Sequence, residues 1–191
     1  MKTLLNKLLQ GRNTRWGFLA VLLIAAGATV AGMNQRHYQL GGSFVGELQG
    51  NRWNTIHMPL DPDGRTAALT VQFVTLNAEQ ALLMQYLGAQ TLSQGVGEVA
   101  MIDRDTAKYT YVMYAVAQPN PPEPAQIKAI FLVNGTWDIT GRDSAMSAET
   151  FLTYSPDADG DHDGLPDSTA TPILPPAVFP PHPEHRVPIL R

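Results

Sequence analysis

Between Asp157 and Ser168 the chain reads DADGDHDGLPDS, five aspartates at alternate positions interrupted only at Leu165, with glycines among them. Carboxylates this close repel one another unless a cation sits between them. Counted from Asp159, they fall at relative positions 1, 3, 5 and 9, with Gly164 at position 6. Calcium takes about six to eight hard oxygens at ~2.3–2.6 Å. Alternate residues of a tight loop turn their carboxylates to one side, and a glycine in the sixth place allows the turn that brings round the next carbonyl. The predicted ligands are therefore the side chains of Asp159, Asp161, Asp163 and Asp167 and the carbonyl of Leu165, with Asp157 as a further carboxylate. Magnesium is disfavoured, because it seldom uses an all-carboxylate cage. The competing reading of the same residues is a solvated acidic turn.

The stretch DGDHDGLPDS resembles the calcium loops of thrombospondin type 3 repeats and, more distantly, those of EF-hands and dockerins. Asp159, Asp161, Asp163 and Asp167 match the ligand positions of those loops. The resemblance covers some twelve of the 191 residues and implies calcium as the cofactor. At position 12, where such loops carry an acid, this chain has Ala170, so the implied affinity falls toward the ~10⁻⁴–10⁻³ M of extracellular modules. Such loops normally occur in tandem and this one is single, which implies a structural staple that adds stability by mass action.

Other constellations are weaker. Ser43 in GGSFV lacks the second glycine of a nucleophile elbow. His182 and His185 have a metal-like spacing, but Pro183 between them opposes a helical ligand pair, and both are expected at the surface. His57, Asp61, Glu98 and Asp103 are candidates for a barrel-interior hydrolase or isomerase, yet no motif joins them. Trp53, Tyr109, Tyr111, Tyr114 and Trp137 read as core and sheet-face aromatics. No catalytic residue is assigned. The chain has no cysteine, which excludes disulfides, thiolate metal sites and a cysteine nucleophile.

Residues 1–33 point to the compartment. Lys2, Lys7, Arg12 and Arg15 precede an uncharged apolar run, Trp16 to Met33, and no acidic residue occurs before Glu47. This is the pattern of a signal peptide or, uncleaved, of a signal anchor long enough to span a bilayer. Either way the rest of the chain is expected outside the cytoplasm. That remainder has nine basic against 17 acidic residues, a net charge of −8, which argues against a nucleic-acid partner.

These segments need a scaffold, and the pattern from residue 40 to 155 is mainly β. Thr66 to Leu76 alternates Leu69, Val71 and Phe73 against polar neighbours. Lys108 to Ala117 and Met146 to Tyr154 are strand-like, and Asn134-Gly135 predicts a hairpin turn between Gln126–Val133 and Thr136–Thr140. Asn77 with Gln80 predicts a capped helix over Ala78 to Leu87, ended by Gly88, with an apolar stripe of Leu82, Leu83, Tyr86 and Leu87. Residues 119–124, PNPPEP, are expected as a loop. Nine of 15 prolines lie between Pro156 and Pro188, which predicts an extended tail packed in part on the domain.

The expected architecture is one antiparallel meander forming a barrel or strongly curved sheet with one short helix. Its parts are an export or anchor helix (1–33), a β-rich domain (34–155), the aspartate loop (156–169) and a proline-rich tail (170–191). The opening GGSFVGELQG, followed by Trp53, is also similar to the start of calycin barrels, with Phe44 where those carry tryptophan. The expected function is an exported, calcium-stabilised binding or structural module for an unidentified small-molecule or protein ligand, with membrane contact through residues 16–33 if they are uncleaved. The alternatives are the barrel-interior enzyme and a self-associating assembly subunit that uses its N-terminal helix and C-terminal tail as contacts.

Overall fold

Strand patterning from Gly42 onward resolves, in a computed structural model that describes residues 40–118 and 123–187, into nine strands and one helix. The apolar segment 16–33 and most of the PNPPEP run lie outside the described residues. The strands are β1 (Gly42–Leu48), β2 (Asn51–Pro59), β3 (Thr66–Thr75), β4 (Thr91–Leu92), β5 (Gly95–Met101), β6 (Thr106–Ala117), β7 (Gln126–Gly141), β8 (Ser144–Tyr154) and β9 (Ala177–Arg186). The helix, α1 (Ala78–Tyr86), lies between β3 and β4. β1, β2, β3, β5, β6, β7, β8 and β9 pair in sequence, all antiparallel, and β9 returns to pair with β1. The result is a closed eight-stranded barrel, to which the two residues of β4 add along β6. Closure leaves no long open edge for a stray strand to join.

Period-two patterning decides what fills the barrel. Ala67, Leu69 and Val71 of β3, Tyr109, Tyr111 and Met113 of β6, and Phe131, Val133 and Trp137 of β7 are buried in one core with Phe44 and Trp53. A second, smaller cluster forms where Ala158 and Ala170 pack on Val112, Ile130 and Tyr154. Since Val112 and Ile130 alternate with the inward residues of their strands, this cluster lies on the outer wall, beneath the aspartate loop.

The helix forms where its cap predicts it. Asn77 Oδ1 accepts the Gln80 backbone N–H at 2.9 Å, and the Asn77 N–H in turn donates to the buried side chain of Asn51 at 2.6 Å. The buried stripe is shifted from expectation, however. Gln80, Leu83, Met84 and Leu87 face the barrel, whereas Leu82 and Tyr86 are exposed. The spacing i, i+3, i+4, i+7 runs through Met84, so the stripe follows helical geometry rather than the largest apolar residues. Leu83 and Met84 close one end of the barrel over a small apolar cavity of about 70 Å³, walled by Phe73, Met113, Phe131 and Phe179 among others. Asn77→Ala is expected to lower stability by about 1 kcal/mol, the usual cost of losing an N-cap. Denaturant unfolding measures it, and an unchanged midpoint would show that the Asn51 contact alone holds this end.

Two expectations need correction. Asn134-Gly135 is not a turn, because β7 runs through it without a break, pairing with β6 on one side and β8 on the other. The glycine is there for space: any side chain at 135 would collide with the Tyr109 ring, which lies directly over it. The tail is likewise not an appendage following a domain that ends at 155. Residues 177–186 are extended, but as the strand that closes the barrel. Pro180 and Pro181 coincide with a register break opposite Ser147–Glu149, the kind of bulge where a strand tolerates residues lacking an N–H.

Candidate functional site

Two clusters of ligand-type side chains occur among the described residues: one in the aspartate loop and one inside the barrel. The loop follows a short 3₁₀ turn, Pro156–Ala158. Asp159, Asp161 and Asp163 each place a carboxylate oxygen within 4.8 Å of the others. The winding comes from side chains accepting backbone N–H groups just ahead of them. Gly164 N–H donates to Asp159 at 3.1 Å, Asp163 N–H to Asp161 at 3.3 Å and Leu165 N–H to Asp163 at 2.8 Å. Gly164 has φ +90°, a left-handed conformation that glycine adopts without strain. Its carbonyl accepts the Tyr114 hydroxyl at 2.8 Å, fastening the loop to the barrel wall. Burial, together with the charges of Asp159 and Asp163, pushes the Tyr114 phenol up.

The other predicted ligands are placed differently. The Asp167 carboxylate lies against Gly160, and the Asp167 backbone N–H bonds to the Ala158 carbonyl at 2.7 Å. Asp157 lies within the 3₁₀ turn, its N–H donating to the capping Ser155 Oγ at 3.3 Å. Leu165 shows an exposed side chain and commits its N–H to Asp163. Three of the predicted carboxylates thus converge, and Asp159 Oδ1 is buried without a hydrogen-bond partner.

The interior cluster was not visible in the sequence. Glu149 of β8 and His182 and Glu184 of β9 bring one ligand atom apiece within 4.8 Å of one another. His182, expected at the surface, is 1% exposed, and Glu184 is 3% exposed; His185 does lie outside. The strand period explains the contrast, since 182 and 184 point inward and 185 outward.

Each carboxylate is met by an aromatic donor that crosses a glycine to reach it. Tyr109, Gly135 and Glu149 stand in one row across β6, β7 and β8. The Tyr109 hydroxyl passes over Gly135 to donate to Glu149 at 2.7 Å, with Ser147 Oγ at 2.6 Å beside it. Trp53, Gly46 and Glu184 form a similar row across β2, β1 and β9. Trp53 lies over Gly46 and donates its indole N–H to Glu184 at 3.1 Å. These donors are neutral.

Burial, opposed by the Tyr109 hydrogen bond and reinforced by the charge of Glu184, pushes the Glu149 carboxyl up to about 7. Burial also raises Glu184 against the favourable N–H groups of Trp53 and Trp137. His182 is lowered by burial. Its Nδ1 lies 2.9 Å from the Pro180 carbonyl, so Nδ1–H donates there, leaving Nε2 buried without a partner. A groove of about 520 Å³ on the outer face runs over Gly135 and reaches Tyr109 and Glu149.

The residues suggested for barrel-interior catalysis are not brought together. His57 is buried beside Phe44 and Trp137, with Nδ1 3.1 Å from the Leu40 carbonyl. Asp61 caps an exposed turn through Arg65 and Thr66, Asp103 does the same for Asp105 and Thr106, and Glu98 faces outward on β5. The only sequence signal for the true interior cluster is the alternation His182, Pro183, Glu184 within the proline-rich segment.

Comparison of the chain with family models, with curated proteins and with solved structures finds no match.

Proposed function

We propose that this chain is a binding module of the cell exterior, exported or anchored through residues 16–33, in which calcium held by the aspartate loop fastens the connection between β8 and β9. The observation that carries this reading is the convergence of Asp159, Asp161 and Asp163 within 4.8 Å, in a loop docked on the wall by Tyr114. Three carboxylates so placed destabilise the loop by mutual repulsion, and a divalent cation converts that repulsion into attraction. The resemblance to thrombospondin type 3 loops points to the same ion. Asp157 and Asp167 are within reach by sequence, and small adjustments of the loop would add them as ligands.

The proposed role follows from topology. The loop feeds β9, and β9 pairs with both β8 and β1, so restraining the loop favours barrel closure. An ion bound to the folded state alone stabilises it by about 2.7 kcal/mol at a hundredfold excess over its dissociation constant. A weak site suits the millimolar calcium outside cells, consistent with the export segment. The binding activity is assigned to the outer groove above Gly135, with an unidentified small-molecule or protein ligand.

The test is calorimetric titration of calcium into the chain, with thermal melts alongside. The parent is expected to bind one ion and to melt several degrees higher with calcium. Asp161→Ala combined with Asp163→Ala is expected to melt as a folded barrel with no calcium response. A parent that neither binds nor shifts at several millimolar calcium would sink the proposal.

A further inference from the structure

We propose that Glu149, His182 and Glu184 form a second metal site, inside the barrel and chemically unlike the aspartate loop, that takes a divalent transition ion of the zinc class. Three ligand-type atoms from two adjacent strands lie within 4.8 Å of one another. In tetrahedral coordination at ~2.0–2.1 Å the ligand atoms stand about 3.3 Å apart, so rotamer adjustments of roughly an ångström complete the site.

The imidazole is already set as a metal ligand. Metal-bound histidines almost always donate their second ring N–H to a carbonyl or carboxylate, which fixes the tautomer. His182 does this through Nδ1 to the Pro180 carbonyl, and Nε2, the nitrogen that would bind, is buried with no hydrogen-bond partner. The ring is held in place by Trp53, edge-on at 4.9 Å. A buried imidazole nitrogen without a partner, in a cluster with two carboxylates, is a costly arrangement that a divalent cation resolves: it accepts the lone pair and balances two negative charges.

The surroundings orient the two carboxylates as well. Glu149 accepts from Tyr109 and Glu184 from Trp53, each leaving acceptor capacity for the ion. One nitrogen and two carboxylates suit zinc, and also manganese or ferrous iron, better than calcium, which prefers an all-oxygen shell. Three protein ligands leave a fourth position open. Glu149 also lines the groove that runs over Gly135. The bound ion would therefore present an open coordination site to an anionic or carbonyl-bearing ligand, in a module that needs no calcium at this position.

The experiment uses the untagged full chain carrying Asp161→Asn and Asp163→Asn, so that the loop takes no part, stripped with chelator and titrated with zinc by calorimetry at pH 7.5. Cobalt serves as a visible-spectrum probe. We expect one equivalent of zinc to bind, a higher melting temperature, and a cobalt spectrum characteristic of mixed nitrogen and oxygen ligation. Glu184→Gln keeps the shape and the acceptor for Trp53, so it is expected to fold, and to bind zinc at least a hundredfold more weakly. His182→Gln is expected to change the cobalt spectrum. The proposal is overturned if the stripped chain binds no zinc, as it would if the two carboxylates simply share a proton. It is equally overturned if a folded Glu184→Gln variant binds zinc as tightly as its parent.

Discussion

Ending the chain at residue 176 is expected to abolish folding, although every residue of the 34–155 segment remains. β9 supplies the backbone partners of β1 on one side and β8 on the other, so its loss turns a closed barrel into a sheet with two long open edges. It also removes Glu184, leaving the buried Trp53 indole N–H without its acceptor. Domains are stable by only about 5–15 kcal/mol, and the loss of a whole barrel strand is expected to exceed that margin. Far-ultraviolet circular dichroism and thermal melting provide the measurement. The 1–176 chain should show no cooperative transition, whereas a chain ending at Val187, which keeps β9 and the Val187 N–H bond to the Ser43 carbonyl, should melt like the parent. A cooperative melt of the 1–176 chain near the parental temperature would mean that β9 is an appendage after all.

His57 is expected to make the fold sensitive to mild acid. Burial lowers its pKa from 6.5 to about 4, with the Leu40 carbonyl opposing the shift and the Arg186 guanidinium adding to it. Because the folded-state pKa lies below the unfolded one, the unfolded chain takes up the proton first. The neutral imidazole's contribution is therefore complete above about pH 6.5, declines as the pH falls toward 4, and is flat below that. A shift of this size corresponds to about 3 kcal/mol. His57→Gln keeps a donor for the Leu40 carbonyl but does not titrate. In urea unfolding, the stability advantage of the parent over this variant is expected to shrink by about 2–3 kcal/mol between pH 7 and pH 4. The raised carboxyls of Glu149 and Glu184 act in the opposite sense, favouring the fold as pH falls, but they are present in both proteins and cancel in the difference. An advantage that stays constant across this range would mean that His57 takes up its proton in the fold as readily as in the unfolded chain.

Where the sequence misled, the cause was tertiary. Asn134-Gly135 is a strong hairpin signal because both residues accept positive φ. Here the glycine leaves the room that Tyr109 needs, a requirement set by β6 and therefore invisible within β7. The proline-rich segment resembled a tail because its inward residues are His182 and Glu184 rather than apolar ones, so no hydrophobic period marked the strand. Its prolines also argued against a sheet, until the register break beside Ser147 accommodated them. In α1 the apolar residues Leu82 and Tyr86 drew attention to the wrong face, and only docking on the barrel end showed that Met84 is the one fully buried.

Local order alone determined a good deal about this protein. Period-two alternation dictated an antiparallel β domain, Asn77 and Gly88 bounded the helix, and the spacing of Asp159, Asp161, Asp163 and Gly164 dictated a loop that turns its carboxylates together. These features depend on backbone dihedrals and side chains a few residues apart, and such information is written consecutively in the chain. The closing strand, the interior of the barrel and the Glu149–His182–Glu184 cluster were decided only by the tertiary structure. They join residues distant in the chain through strand register, Glu149 with Glu184 among them. Whether a histidine faces solvent or another strand's carboxylate depends on which way the pleat turns once the barrel has closed.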